Sequence, residues 1–204
     1  MRALNTQFVE SYFSHMLSHF GAELINRDDF LSQHLDDIIP GYDQISTVAD
    51  ALGLLGADDP LSFIKGASIT IGGYICVPYD PGVFTSEFSL DYQCANIAHE
   101  IKHILQWQED RALFPVNYLT SRSKRTNYEI QAMKPELEIS FHRHGRLPSI
   151  RQMANSLHEN YFVREADARV ARLHLEAYAT PVKDGSINSV VGKEAIRFMK
   201  GNGF

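Results

Sequence analysis

The stretch IAHEIKHILQW, at residues 97–107, lies near the middle of a 204-residue chain. It places His99 and His103 four residues apart, with Glu100 directly after the first histidine. On an α-helix, side chains at this spacing lie one turn apart on the same face. The two imidazoles can therefore aim at one point. The pattern predicts either a metal site or a helix with two polar residues at the edge of its buried face.

The residues around the motif predict a helix from about Ser89 to Gln108. Ser89 is a preferred N-cap residue, and Asp91 places a negative charge in the first turn. An apolar stripe, offset from the histidines, predicts the buried face; it consists of Cys94, Ile97, Ile101, Ile104 and Leu105. Because Cys94 lies on this apolar side, we interpret it as a core residue and not as a nucleophile.

The segment GASITIGGYICVPYDPG at 66–82 predicts a β-hairpin directly before the motif helix. Ser68–Ile71 and Tyr74–Val77 are rich in β-branched and aromatic residues, and Gly72-Gly73 separates them. Helical spacing of apolar residues predicts four further helical segments. They cover residues 6–20, 43–55, 122–141 and 149–178, with a bend or restart at Pro135 and a break near Asn160.

These elements predict an α+β fold that is mostly helical, with a zincin-like motif helix and a small β-hairpin or sheet preceding it. No linker-like composition divides the chain, so we expect residues 1–204 to form a single domain. Within it we expect a helical N-terminal part (1–60), a catalytic core (68–140) and C-terminal helices (149–204).

Composition argues against several classes of function. A net charge of −6 does not favour nucleic-acid binding, since phosphate contacts need a basic face. No window has the run of apolar residues that a membrane span or signal peptide needs. The two cysteines form no disulfide framework. We therefore expect a soluble cytoplasmic protein; the expectation of a peptide or protein substrate comes from the motif and not from composition.

The chemistry of the motif favours zinc. His99 and His103 suit two adjacent positions of a tetrahedral site. Glu100 is rotated by about 100° from His99, so it points beside the metal and not at it. In this position it can accept a proton from a water molecule beside the ion, which is the role of the glutamate in H-E-x-x-H.

Two acidic residues compete to be the third ligand. Glu129, in NYEIQAM, lies in the next predicted helix, where the small residue Ala132 would let the two helices approach closely. Glu165, in VREADARVA, lies much further along the chain. For either one the alternative is an ordinary solvated carboxylate. We favour Glu129, and we interpret the acids near it, Glu136 and Glu138, as surface charge.

HEIKH followed by a helical YEIQA resembles the gluzincin group of zinc metallopeptidases. The resemblance implies that His99, His103 and Glu129 hold zinc and that Glu100 is the catalytic base. It also implies an antiparallel edge strand before the motif helix, and the predicted hairpin lies in that place. The same stretch is similar to compact HExxH proteins of phage, prophage and bacterial toxin-associated loci. The resemblance covers about residues 68–140.

READARVA separately resembles the ExxAD-type helix of membrane and related HExxH peptidases, which keeps Glu165 as an alternative. The family pattern also includes a Tyr or His that donates a hydrogen bond to the oxyanion. Spacing does not choose among the candidates, which are Tyr118, Tyr128, His158 and Tyr161.

The sequence thus predicts a zinc-dependent metallopeptidase of the HExxH…E type. One alternative is a peptidase-like interaction protein that binds a partner through the cleft without turnover. Another is a structural protein in which the histidine pair only packs. Neither the substrate nor the oligomeric state follows from the residues.

Overall fold

The computed structural model describes residues 3–32, 50–51, 53 and 66–204. This part is mostly helical with a small three-stranded sheet, which confirms the predicted α+β class. The helices are α1 (Thr6–Phe20), α2 (Arg27–Ser32), α3 (Leu90–Asp110), α4 (Leu113–Thr120), α5 (Arg122–His144), α6 (Ile150–Asn160), α7 (Glu165–Lys183) and α8 (Val190–Gly201). The strands are β1 (Glu23–Leu24), β2 (Ile69–Ile71) and β3 (Tyr74–Cys76). The helix predicted over 43–55 lies outside the described residues except at positions 50, 51 and 53.

The motif helix α3 begins where the sequence predicts. The Ser89 side chain caps it by accepting a hydrogen bond from the Tyr92 backbone N–H at 3.2 Å. The predicted apolar stripe is largely buried, because α1 lies along it on one side of the helix. The Tyr12 hydroxyl of α1 donates to the Cys94 carbonyl at 3.1 Å and joins the two helices. The opposite side of α3 is left for α5.

The predicted hairpin is present. Strands β2 and β3 are antiparallel, with Ile71 opposite Tyr74 across the turn, and Gly72 has a φ of 61° that glycine adopts without strain. The sequence did not predict β1, which pairs parallel with β3. Two residues are too few for an alternating pattern to be visible. Among the described residues, strand β2 forms an edge of this sheet, and it lies against α3.

We expected Pro135 either to bend this helix or to restart it, and the restart is wrong, because α5 is continuous through Pro135. A proline in a helix interior removes one backbone hydrogen bond. The neighbouring residues Ala132, Met133 and Leu137 are buried, and their packing compensates for that loss. Ala132 is fully buried, as a close approach of α5 to α3 requires.

The C-terminal helical stretch breaks close to the predicted position. Helix α6 ends at Asn160 and α7 begins at Glu165. In the turn between them Phe162 has a φ of 55°, a left-handed conformation that is uncommon for a bulky residue. This turn directs Tyr161 back toward α5.

Glu138 is buried, so its interpretation as surface charge is wrong. One of its oxygens accepts hydrogen bonds from the Tyr178 hydroxyl at 2.5 Å and from the Ser189 backbone N–H at 2.9 Å. Its other oxygen accepts from the Ser189 hydroxyl. Glu138 thus ties α5 to α7 and to the N-terminus of α8. Close approach of α8 requires Gly192, since a Cβ there would overlap the Glu138 carboxylate.

We predict that Gly192→Ala destabilises the protein by roughly 1–3 kcal/mol, the scale of an overpacked buried contact. This is opposite to the effect of helix propensity, which favours Ala over Gly by up to about 1 kcal/mol. Urea unfolding of the two proteins measures the difference in the free energy of unfolding. Gly201→Ala on the same helix is the control, because a Cβ there meets nothing within 4 Å. Equal stability of the Gly192 variant and the parent would contradict the proposed contact.

Candidate metal centre

Three side chains from two helices converge beside the motif. His99 and His103 of α3 face each other with their Nε2 atoms 3.1 Å apart. Glu129 of α5 lies against both, with Oε2 3.3 Å from His99 Nε2 and Oε1 3.4 Å from His103 Nε2. The structure therefore brings together the three residues that the sequence predicts as ligands.

The donor set fits a metal ion. Tetrahedral zinc with bonds of 2.0–2.1 Å holds its ligand atoms about 3.3 Å apart, close to the separations observed. The three residues are 4%, 6% and 0% exposed, and Glu129 Oε2 has no hydrogen-bond donor among the described residues. An unsatisfied, buried carboxylate oxygen is unfavourable unless something binds it. The cluster could hold a metal ion and leave one coordination position open.

The far side of each imidazole is fixed by a hydrogen bond. His99 Nδ1 contacts the Glu136 carboxylate, and His103 Nδ1 lies 2.7 Å from the Gln106 side-chain oxygen. The Gln106 amide nitrogen donates to the Tyr128 carbonyl at 2.9 Å, so the amide oxygen must face the histidine. Both Nδ1 atoms are thus the natural donors, so both Nε2 atoms face the cluster and can act as ligand atoms when they carry no proton. Such partners typically orient metal-binding histidines.

Glu136 is the principal residue that the sequence interpretation missed, and its assignment to surface charge is wrong. It is only partly exposed, and its carboxylate contacts a histidine of the motif. A signal was present, because Glu136 follows Glu129 by two helical turns and must share its face of α5. Gln106, one turn after His103, could have been found in the same way.

The close contacts within the cluster shift the pKa values of His99 and Glu129. Burial acts to lower the pKa of His99, but Glu136 and Glu129 outweigh it and raise that pKa well above its ordinary value. Burial acts to raise the pKa of Glu129, but His103 and His99 hold it well below the usual range. A metal ion that binds here must therefore displace a proton, as metal ions commonly do at histidine sites.

Glu100 lies beside the cluster and not in it. The Thr70 hydroxyl of β2 donates to Glu100 Oε2 at 2.7 Å, which fixes the orientation of the carboxylate. Burial raises the pKa of Glu100, although the nearby His99 and His103 oppose the effect. A raised pKa suits a carboxylate that accepts a proton near neutral pH.

Three of the four candidate oxyanion donors are committed to other contacts. The Tyr118 hydroxyl donates to Glu129 Oε1 at 2.5 Å, behind the cluster. The Tyr128 hydroxyl donates to Asp110 at 2.5 Å, and His158 Nδ1 bonds the Val163 carbonyl at 2.8 Å.

Tyr161 has the environment that an oxyanion donor needs. Burial raises the pKa of its phenol well above the ordinary value, and the Glu129 and Glu100 carboxylates raise it further. The phenol therefore stays protonated at neutral pH. Glu165, by contrast, is a solvated residue: its side chain is 74% exposed and pairs with Arg169 at 2.8 Å.

Comparison of the chain with protein-family models, with curated proteins and with solved structures finds no significant match. Within the described residues, every helix is too short or too polar to cross a membrane. The functional assignment therefore depends on the residues and geometry of the cluster.

We predict that Glu129→Ala weakens zinc binding by at least about a hundredfold, because it removes one of three ligands from a catalytic-type site. Glu165→Ala should bind zinc as the parent does. Competition with a chromogenic chelator measures both affinities. Equal affinities for the two variants would show that Glu129 is not a ligand.

Proposed function

We propose that the protein is a zinc-dependent metallopeptidase that hydrolyses peptide bonds. The observation that carries this proposal is the convergence of His99, His103 and Glu129 on one point, with the Glu100 carboxylate held beside it. The cluster offers three ligands for an ion, and Glu100 offers a proton acceptor that is not itself a ligand.

Zinc is the ion that this donor set suits best. Two imidazoles and one carboxylate, with a fourth position open, are the protein ligands of one common class of catalytic zinc site. Magnesium and calcium prefer sites built from oxygen alone. When bound, zinc would act as a Lewis acid that lowers the pKa of water and polarises a substrate carbonyl.

Glu100 supplies the proton transfer. Its Oε2 is occupied by the Thr70 hydroxyl, so Oε1 is the oxygen available to accept a proton from the attacking water. Once protonated, the same carboxyl group can donate that proton to the leaving nitrogen of the peptide bond. The Thr70 hydrogen bond restricts rotation of the carboxylate during both transfers.

Tyr161 would donate a hydrogen bond to the carbonyl oxygen as negative charge develops there. Its phenol is kept neutral by burial and by the neighbouring carboxylates, so it retains the proton that it must share. Tyr161 directly follows α6 and precedes Phe162, whose backbone is left-handed. A donor aimed at the developing charge is a large contribution to catalysis in hydrolases.

A peptide is the substrate class that the surroundings favour. Strand β2 forms one edge of the sheet, and its Thr70 contacts the catalytic carboxylate directly. An extended peptide can add to such an edge through backbone hydrogen bonds. Its carbonyl groups would then pass close to Glu100.

We propose a cytoplasmic location for the protein, since Cys76 and Cys94 are both buried free thiols.

Burial of the site favours one alternative function, a peptidase-like protein that binds a partner through the cleft without turnover. His99, His103, Glu129 and Glu100 are all less than 7% exposed. A substrate carbonyl must reach this point for hydrolysis, whereas a binding protein needs no such access. Turnover measurements separate the two functions.

We predict that Glu100→Gln lowers peptidase activity on an unfolded protein by at least roughly a hundredfold, the usual scale for a general base. Zinc content should not change, because Glu100 is not a ligand. Glu165→Gln, at an exposed position, is the matched control and should retain activity. If the Glu100 variant cleaves as fast as the parent, Glu100 is not the base. If neither the parent nor the Glu165 variant cleaves the substrate, the binding function is favoured.

A second prediction concerns Tyr161→Phe, which removes only the hydroxyl. Loss of one oxyanion donor should lower kcat by roughly a hundredfold and leave zinc affinity unchanged. Tyr128→Phe is the matched control, since its hydroxyl contacts Asp110 instead. Steady-state kinetics on a quenched fluorescent peptide measures both. An unchanged kcat in the Tyr161 variant would remove Tyr161 from the mechanism.

A further inference from the structure

Helices α1 and α8 bring together a second group of metal-binding side chains, away from the metal centre. His15 and His19 lie one turn apart on α1, and Glu194 of α8 faces both. Glu194 Oε1 lies 2.5 Å from His15 Nε2 and 3.7 Å from His19 Nδ1. One ligand atom from each of the three lies within 4.8 Å of the others. We propose that His15, His19 and Glu194 form a second site, for a divalent transition-metal ion such as zinc.

The ligand chemistry repeats that of the metal centre. Two imidazoles at i and i+4 lie on one helix face, and a carboxylate reaches them from a second helix. Imidazole and carboxylate together suit zinc, copper or nickel better than magnesium or calcium. Within the described part of the chain, the metal centre is the other group with such a composition.

The second site differs from the metal centre in exposure. The His19 side chain is 44% exposed and that of His15 is 28% exposed, while that of Glu194 is 10% exposed. An ion can therefore enter directly from solvent, and water can complete its coordination. We expect an exchangeable ion that binds more weakly than one in the metal centre.

Arg197 is the competing partner of Glu194. It donates to Oε2 at 2.9 Å through Nε and to Oε1 at 2.5 Å through a terminal nitrogen. The same hydrogen bonds, with that of His15, lower the pKa of Glu194 to about 2, so its carboxylate is charged at neutral pH. The Arg197 side chain is 68% exposed, and an exposed ion pair costs little to rearrange. Arg197 can keep Oε2 while Oε1 turns to the ion.

The position of the site indicates a stabilising role. Helices α1 and α8 both pack against the motif helix, and the His15 ring stacks on Phe198 of α8 at 4.5 Å. The Phe8 ring of α1 also contacts Phe204, beyond α8, at 4.1 Å. An ion bound by both helices would hold α1 and α8 together where they pack against α3. It would stabilise the folded state, and more so the more tightly it binds.

Equilibrium dialysis of the metal-free full chain against buffered zinc tests the site. The parent should bind one zinc more than His19→Ala does, and the ion lost should be the weaker and exchangeable one. His19 is chosen because it is exposed and because the His15–Glu194 contact remains. His174→Ala, an exposed histidine on α7, is the matched control and should bind as the parent does.

The outcome is independent of the metal centre. If that centre holds no ion, the parent should bind one zinc and His19→Ala none. Zinc should also raise the thermal midpoint of the parent more than that of His19→Ala. Equal stoichiometry and equal affinity in the parent, His19→Ala and His174→Ala would overturn the proposal.

Discussion

The contact of Glu129 with His99 and His103 joins α5 to the motif helix α3, and the neighbouring polar side chains are arranged around it. It buries two imidazoles and a carboxylate between α3 and α5. Burying charged groups is costly unless each is paired and hydrogen-bonded. The surrounding residues meet this requirement: Glu136 and Gln106 hold the far sides of the imidazoles, and Tyr118 holds one carboxylate oxygen. The remaining oxygen, Glu129 Oε2, has no such donor among the described residues and is the natural place for an ion.

The other elements act by positioning groups around this pair. The hairpin presents Thr70 to Glu100. Helices α1 and α8 cover the opposite side of α3 and exclude water from its apolar stripe. The chain thus places its rigid packing on one side of the motif helix and its polar groups on the other.

Local signals in the sequence predicted the motif helix, the hairpin and the position of Glu129 on a returning helix. Each depends on side-chain periodicity or on capping, which act over a few residues. The same signals failed where the partner of a residue lies far along the chain. Glu138 is buried by Ser189 and Tyr178, and its neighbours in sequence give no indication of either. Pro135 likewise lies in a continuous helix because tertiary packing outweighs its local preference.

Spacing could not distinguish Tyr161 from Tyr118 and Tyr128, whereas the structure shows the Tyr118 and Tyr128 hydroxyls in hydrogen bonds to Glu129 and Asp110. All three are tyrosines in helices or turns near the motif, and only their hydrogen-bond partners separate them. Glu129 and Glu165 differ in the same way, since one is fully buried and the other is solvated. Spacing favoured Glu129 as the third ligand, and the packing of α5 against α3 brings Glu129 to the two histidines.

The proposal that His99, His103 and Glu129 bind zinc can be tested by an anomalous-difference map at the zinc absorption edge, from crystals of protein purified without added metal. We predict one strong peak at about 2.0–2.2 Å from His99 Nε2, His103 Nε2 and a Glu129 carboxylate oxygen. The Glu100 carboxylate should lie beside this peak without bonding to it. A map with no peak between α3 and α5 would contradict the proposed zinc site. A peak whose third ligand is not Glu129 would contradict the proposed ligand set.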